Sequence, residues 1–217
     1  MASKDTRVAN LWLADELWKL GAIRFGDFTL GKSTINSPVY VNLRLLISNP
    51  VALQRVAEVM LDEVRTRQRM RQPRMASFDV IAGVPFGGLH LATAFSLGSG
   101  TPMVYLHPPK TGNRTVVEGN FTPSQTVLIM DDLITGGRSV IHTAQRLEED
   151  GLFVEDAVVL LDRQQGAAER LKQRGINLVS ILTLEAVLHY LGSSRKISED
   201  WYQKSLEYLS QHRIGAG

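Results

Sequence analysis

The sequence of 217 residues predicts an α/β fold in which a central parallel sheet is flanked by helices. The main observation is that short apolar, β-branched segments alternate with amphipathic segments from residue 78 onwards. Hydrophobic residues make up 44% of the chain, which suits a buried core and one domain with a small appendage. Ligands in such sheets bind at the carboxyl ends of the strands, so the loops after the strands are the expected binding site.

The part of the chain before residue 78 is predicted to contain two helices separated by paired strands. Apolar residues at helical spacing predict a first helix over residues 8–20, with Gly21 at its C-cap. Alternating β-branched residues around 39–43 predict strands or a hairpin. Asn49 and Pro50 then predict the N-cap and the first position of a second amphipathic helix.

The rest of the chain is predicted as alternating strands and helices. Five short apolar segments predict buried strands: 78–82, 102–106, 126–130, 157–161 and 178–182. Four segments between and after them predict helices: 88–97, 138–150, 165–174 and 183–191. A last helix is predicted over residues 199–212. We therefore divide the chain into an N-terminal segment (1–48), an α/β core (49–192) and a helical tail (193–217).

Composition and charge exclude several classes of protein. A formal net charge of +2 is too small to favour nucleic acid binding and is compatible with an anionic small substrate. The chain has no cysteine, which excludes thiolate zinc sites and suits a cytoplasmic protein. The first ten residues lack the apolar core of a secretion signal, and no run of eighteen apolar residues predicts a membrane span. We expect a cytoplasmic protein without nucleic acid or membrane partners.

The strongest functional motif is the segment 127–139, VLIMDDLITGGRS. Four apolar residues predict a buried strand, and Asp131 and Asp132 follow where that strand should emerge. Two glycines then allow a tight turn whose N–H groups converge, and the next helix adds its positive N-terminal end. A phosphate monoester is predicted to be bound by the residues of this turn: Thr135, Gly136, Gly137, Arg138 and Ser139. The two acids can accept hydrogen bonds from sugar hydroxyls or hold Mg²⁺, although such acids also occur at ordinary α/β connections.

This segment resembles the ribose-phosphate donor motif of type I phosphoribosyltransferases, in which two acids precede a Thr-x-Gly-x-(Ser/Thr) turn. Three more segments resemble the orotate phosphoribosyltransferases in particular: FGDFTL…SPVYVNLR (25–44), FDVIAGVPFGGLHLA (78–92) and LLDRQQG (160–166). The similarity covers about residues 10–190. It implies a type I phosphoribosyltransferase-like fold in which the N-terminal segment forms a small hood subdomain.

The resemblance also implies an activity. The phosphoribosyl group of 5-phosphoribosyl pyrophosphate (PRPP) would be transferred to orotate, giving orotidine 5′-monophosphate and pyrophosphate in pyrimidine biosynthesis. Mg²⁺ would be the cofactor, held mainly through PRPP, with Asp131 and Asp132 as possible ligands. The implied partners are a second copy of the chain, in a homodimer with shared active sites, and orotidine-5′-phosphate decarboxylase.

By the same resemblance, the site residues fall into groups. The catalytic residues would be Asp131, Asp132 and Lys110. Pyrophosphate would be bound by the loop after the first core strand and one distant cation: Val84, Pro85, Phe86, Gly87, Gly88 and Arg114. Orotate would be bound by Lys32, Thr135 and Arg163. The role of Arg163 is also supported by its chemistry, independently of the resemblance, because a guanidinium can donate two hydrogen bonds to the carboxylate of orotate.

A competing motif is the segment 26–33, GDFTLGKS, which matches the P-loop pattern of nucleotide-binding proteins. A P-loop follows a buried strand and opens a helix. Here a predicted helix precedes the segment, and Pro38 with strand alternation follows it. The context therefore argues against an ATPase.

The segment 105–119 departs from the family pattern. Leu106, His107, Pro108 and Pro109 stand in the region of an Arg-Lys pair that holds pyrophosphate in the family. Loss of one such cation would raise the barrier by about 2.7–4 kcal/mol, by analogy with oxyanion-hole deletions. Two further functions therefore stay open: a PRPP-binding sensor or assembly partner without turnover, and a phosphoribosyltransferase for another nucleobase.

Overall fold

The computed structural model describes residues 10–30, 34–107 and 116–213. Three of the predicted site residues, Lys32, Lys110 and Arg114, lie outside these ranges, so their roles stay predictions. None of the helices in the described ranges has the length and apolar character needed to cross a lipid bilayer.

Helices and strands alternate along the described chain. The helices are α1 (Leu11–Lys19), α2 (Pro50–Gln68), α3 (Gly87–Ser99), α4 (Arg138–Glu149), α5 (Ala167–Lys172), α6 (Leu184–Ser193) and α7 (Glu199–His212). The strands are β1 (Ile23–Leu30), β2 (Thr34–Val41), β3 (Val80–Gly83), β4 (Met103–His107), β5 (Val116–Glu118), β6 (Thr126–Ile134), β7 (Phe153–Asp162) and β8 (Asn177–Thr183). A short 3₁₀ helix covers Leu43–Ser48.

The central sheet has the strand order β5-β4-β3-β6-β7-β8. Within this order, the five strands from β4 to β8 form four parallel pairs, which confirms the predicted α/β class. The edge strand β5 pairs antiparallel with β4 and was not predicted. With three residues, β5 is too short to show an alternating pattern in the sequence.

Both faces of the sheet are covered by helices. Residues of β6 alternate between two hydrophobic clusters: Leu128 and Met130 belong to one, Val127 and Ile129 to the other. The first cluster also takes in buried residues of α1, α2, α3, α6 and α7, and the second those of α4 and α5. Strands that are buried on both faces read as continuous apolar runs, and this is why the core strands were visible in the sequence.

The strands β1 and β2 form a separate antiparallel hairpin, with Ile23 opposite Val41. Gly26, the first residue of the P-loop-like segment, lies inside β1, and the chain continues into β2 rather than into a helix. The P-loop hypothesis is therefore excluded by the fold. Helix α7 packs against β2 and α6, so the tail and the N-terminal segment share one hydrophobic cluster.

The predicted helix ends are confirmed at two positions. The Asn49 side chain accepts a hydrogen bond from the Ala52 N–H over 3.1 Å, and Pro50 is the first residue of α2. Gly21 follows α1 with φ of +67°, a conformation that glycine adopts without strain.

Candidate active site

Three loops meet at one edge of the sheet, because β3, β6 and β7 are parallel neighbours. Backbone hydrogen bonds continue past the strand ends. The Val84 N–H donates to the Met130 carbonyl over 2.9 Å, and the Arg163 N–H donates to the Ile134 carbonyl over 3.0 Å. The start of each outer loop is thus fixed against the central strand, and residues from three distant segments share one site.

A cavity of about 500 Å³ opens over the loop between β6 and α4, which we call the glycine loop. All five residues predicted to bind the 5′-phosphate line it: Thr135, Gly136, Gly137, Arg138 and Ser139. Gly137 has φ of +79°, so any other residue there would be strained, and its Cβ would lie 2.6 Å from Leu171 Cδ1, which would have to move. Helix α4 begins directly after it, and the N–H groups of its first turn have no intrahelical acceptors. This geometry suits a small anion such as phosphate.

The two acids lie within β6, not after it as predicted. The strand continues to Ile134 because β6 keeps pairing with β7 as far as Asp162. Asp131 is 7% exposed and lines the cavity. Its Oδ1 accepts a hydrogen bond from the Asp132 N–H over 2.8 Å, and the Asp132 Oδ1 accepts one from the Leu133 N–H over 2.8 Å.

The environment of Asp131 disfavours its charge. Burial, together with the neighbouring charge of Asp132, raises the pKa of Asp131 well above its usual value. Asp132 is less buried, which makes it the better of the two for contact with a cation. In the described ranges, no group of three or more His, Asp or Glu side chains could hold a metal ion alone.

The loop after β3, predicted to bind pyrophosphate, lies against the two acids. A Cβ at Gly87 would overlap the Asp132 carboxylate, and one at Gly88 would overlap the Met130 carbonyl. Glycine is thus required where α3 approaches β6. Val84 is buried, Phe86 is 67% exposed, and the peptide bond between Pro85 and Phe86 is cis. The structure brings this loop to the acids, while its role in binding pyrophosphate stays a prediction.

Arg163, predicted to bind orotate, lies between the hairpin and the sheet. Its side chain is 3% exposed, and its Nη2 donates a hydrogen bond to the Ser37 Oγ over 3.1 Å. Its Nε has no hydrogen-bond partner within the described part of the chain. Burial lowers the pKa of the guanidinium, although an arginine stays protonated in proteins. A buried cation with an unused donor is suited to an anionic ligand.

Three further polar residues line the cavity and were not predicted as site residues from the sequence: Gln165, Arg170 and His212. The Arg170 Nη1 donates to the Gly136 carbonyl over 3.0 Å and so supports the glycine loop. Gln165 stands two residues after Arg163, and this proximity was the only signal for it in the sequence. His212 belongs to α7, and only the tertiary fold brings it to the glycine loop.

Comparison with known proteins gives a consistent result. Orotate phosphoribosyltransferase of Chlamydia caviae is 42% identical over 189 residues, which are 84% of this chain and 86% of that protein. Uridine 5′-monophosphate synthase of Bos taurus is 36% identical over 218 residues, and the match covers 100% of this chain but 43% of the bovine protein. Orotate phosphoribosyltransferase from Aeropyrum pernix has a TM-score of 0.73 at 33% identity, covering 83% of this chain and 98% of that structure. No family model matches the chain.

Proposed function

The chain belongs to the orotate phosphoribosyltransferase family, and on that premise we propose that it transfers the phosphoribosyl group of PRPP to orotate. The products are orotidine 5′-monophosphate and pyrophosphate, in a step of pyrimidine biosynthesis. One observation carries the proposal: the glycine loop, the paired acids and the buried Arg163 lie at the carboxyl ends of two neighbouring strands, β6 and β7. A donor with a phosphate and an acceptor with a carboxylate would each find a matching group there.

The glycine loop would bind the 5′-phosphate of the donor. The N–H groups at the start of α4 and the hydroxyls of Thr135 and Ser139 can donate to phosphate oxygens. Asp131, in the same cavity, is placed to accept hydrogen bonds from the ribose hydroxyls. The donor would then lie with its ribose between the glycine loop and the loop after β3.

Arg163 would bind the acceptor. Its Nη2 is held by Ser37, and its Nε–H is left for the carboxylate of orotate. A charge-assisted bond of this kind is stronger in a buried site than in water. Thr135 would contribute as well, and Lys32 is part of the proposal although it lies outside the described residues.

The reaction would be a dissociative displacement at C1 of the ribose. The bond between C1 and the pyrophosphate oxygen breaks, and its electron pair leaves with pyrophosphate. The ring nitrogen of orotate forms the new bond to C1 and loses its proton, which pyrophosphate or water takes up. Positive charge develops on the ribose, beside Asp131 and Asp132. The ionised form of either acid, fixed at that position, would stabilise the charge without having to reorganise.

We propose that the activity depends on Mg²⁺. Asp132, with Asp131 beside it, would hold the ion together with oxygens of PRPP, as Mg²⁺ sites of this composition commonly do. When bound, Mg²⁺ neutralises charge on the departing pyrophosphate. The fit is supported by the close approach of the Gly87 backbone to the Asp132 carboxylate, because this contact brings the loop after β3 to the acids.

A second candidate function is a PRPP-binding sensor without turnover. It is favoured by Leu106, which is 4% exposed and packs in the core beside Val117, where the family carries a cation in this region. A charge at Leu106 would be buried without a partner, so neutralisation of pyrophosphate would fall to Lys110 or Arg114, outside the described residues.

The proposal extends to partners and location. A homodimer with shared active sites would let Lys110 and Arg114, which lie outside the described residues, act at the site of the other copy. Association with a decarboxylase is supported by the bovine uridine 5′-monophosphate synthase, of which this chain matches 43%. We propose a cytoplasmic location, where PRPP and orotate are available.

The test is to incubate the purified chain with PRPP, Mg²⁺ and one base at a time, and to separate the products by chromatography. Orotidine 5′-monophosphate should form with orotate, while uracil and purines should give no nucleotide. A nucleotide from another base alone would replace orotate as the acceptor. Bound PRPP with no nucleotide from any base would favour the sensor.

A further inference from the structure

The cavity over the glycine loop is also lined by Gln165 after β7 and by His212 at the end of α7, two residues that we call the second wall. The proposed function assigns neither residue a role. The two residues come from elements that lie far apart in the sequence, and both contribute side-chain groups that can pair with a bound molecule.

Gln165 is buried, with 6% of its surface exposed, yet its Oε1 has no hydrogen-bond partner in the described ranges. An unpaired buried amide oxygen is unfavourable, so such groups in folded proteins call for a specific explanation. Because Gln165 lines the cavity, a ligand hydroxyl or N–H could supply the missing donor.

His212 has a fixed ring. It stacks on the Tyr208 ring with 4.0 Å between the ring centroids, and its Nδ1 lies 2.8 Å from the Tyr208 carbonyl oxygen. A backbone carbonyl only accepts hydrogen bonds, so Nδ1 carries the hydrogen. Nε2 is then the ring nitrogen that can meet a ligand: it accepts a hydrogen bond in the neutral ring, and it donates one only in the imidazolium form, in which both nitrogens carry hydrogen.

The two parts of the wall are tied together through Glu185 of α6. Arg213, next to His212, donates to the Glu185 Oε2 over 2.7 Å, and Gln164, next to Gln165, donates to the same oxygen over 3.3 Å. The end of α7 is thereby positioned against the loop after β7, although the His212 side chain itself is exposed.

We propose that Gln165 and His212 are further binding residues for the donor: His212 for the phosphate, to which Nε2 of the imidazolium form donates, and Gln165 for a ribose hydroxyl, which donates to its Oε1. A phosphate has three terminal oxygens, each able to accept from more than one direction, and the glycine loop covers one side. The inference rests on the proposed function, because it takes PRPP as the ligand of this cavity.

The experiment compares the full chain with Gln165→Met and His212→Phe, measuring PRPP binding and orotate binding by calorimetry. Each variant should bind PRPP about tenfold more weakly, which corresponds to about 1.4 kcal/mol, with orotate affinity unchanged. His212→Phe keeps the stacked ring without its nitrogens, and His212→Gln, which keeps a side-chain N–H, should recover most of the affinity. The matched controls are His142→Phe and Gln173→Met, neither of which is among the described lining residues.

Thermal unfolding separates a binding role from a structural one. Since the Gln165 Oε1 has no described partner in the free protein, Gln165→Met should not lower the melting temperature. A lowered melting temperature together with equal losses of both affinities would overturn the proposal in favour of a structural role.

The outcome also distinguishes this inference from the proposed function. If both variants bind PRPP within twofold of the parent affinity, the binding roles of Gln165 and His212 are overturned. The proposed function would stand, because the parent would still bind PRPP. A parent that binds no PRPP would contradict the proposed function and this inference with it.

Discussion

The Arg163 guanidinium donates a hydrogen bond from its Nη2 to the Ser37 Oγ over 3.1 Å. This bond joins the N-terminal hairpin to the carboxyl end of β7. Arg163 is 3% exposed and Ser37 is fully buried, so water does not compete for the bond. The orientation of the proposed orotate-binding cation therefore depends on the packing of the hairpin.

The first prediction concerns Ser37→Ala. Without the hydroxyl, the buried Nη2 loses its acceptor, at a cost of about 1–3 kcal/mol. Orotate binding should weaken about tenfold or more, while PRPP binding should change little, and calorimetry with each ligand measures both. Ser210→Ala, which removes an exposed hydroxyl from α7, is the control. Unchanged orotate affinity would contradict a positioning role for Ser37.

The second prediction compares two glycines of α3. A methyl group at Gly87 would overlap the Asp132 carboxylate, whereas one at Gly98 would lie 3.9 Å from Leu61 Cδ2, an ordinary contact. Gly87→Ala should lower kcat about a hundredfold, because a displacement of about 1 Å at a reacting centre has that effect. Gly98→Ala should keep activity and stabilise the helix by about 0.5–1 kcal/mol. If the two variants had equal activity in a turnover assay, the claim that glycine is required at position 87 beside Asp132 would be refuted.

The third prediction concerns Asp131→Asn and pH. Because burial and Asp132 raise the pKa of Asp131, the unfolded chain releases this proton more readily than the folded one. Folding stability is therefore lost as pH rises from the usual value of 3.8 through the raised one. Asparagine does not titrate, so the variant does not lose this stability. The melting temperature of the variant minus that of the parent should therefore be larger at pH 8 than at pH 5.

Thermal unfolding of the parent and of Asp131→Asn at both pH values checks this. Most other titrating groups affect both proteins equally, so their contributions cancel in the difference between the two melting temperatures. A gain that shrinks between pH 5 and pH 8 would show that Asp131 is stabilised as a carboxylate. Despite the higher stability, PRPP binding should weaken, since Asp131 lines the donor cavity.

The fourth prediction concerns magnesium. Removal of Mg²⁺ by EDTA should abolish turnover, and added Mg²⁺ should restore it. Asp132→Asn should raise the Mg²⁺ concentration needed for half the maximal rate about tenfold, because it removes the less buried of the two carboxylates. Turnover in EDTA equal to that in Mg²⁺ would exclude the proposed cofactor.

Much of the fold was predictable because its signals are local. Residues of β6 such as Leu128 and Ile129 are apolar on both faces, and Asn49 with Pro50 marks the start of α2 within two residues. The predicted end of β6 was wrong. Its last residues include two acids, whose polarity gives no indication that they still pair with β7.

The site residues likewise fall into two groups: those in a continuous motif, which could be predicted, and those joined only by the tertiary fold, which could not. Gly137 and its neighbours form a continuous motif, so their role could be proposed from the sequence alone. The bond between Ser37 and Arg163 joins residues 126 positions apart, and His212 reaches the glycine loop only through the packing of α7. Contacts of this kind follow from the tertiary fold and leave no spacing pattern in one sequence.

The most direct test of the proposed activity follows the absorbance of orotate after purified protein is mixed with orotate, PRPP and Mg²⁺, with PRPP binding measured in the same buffer. We predict loss of orotate that requires both PRPP and Mg²⁺ and yields one orotidine 5′-monophosphate and one pyrophosphate per orotate. Tight binding of PRPP with no loss of orotate would contradict the transferase activity and leave the chain as a PRPP-binding protein.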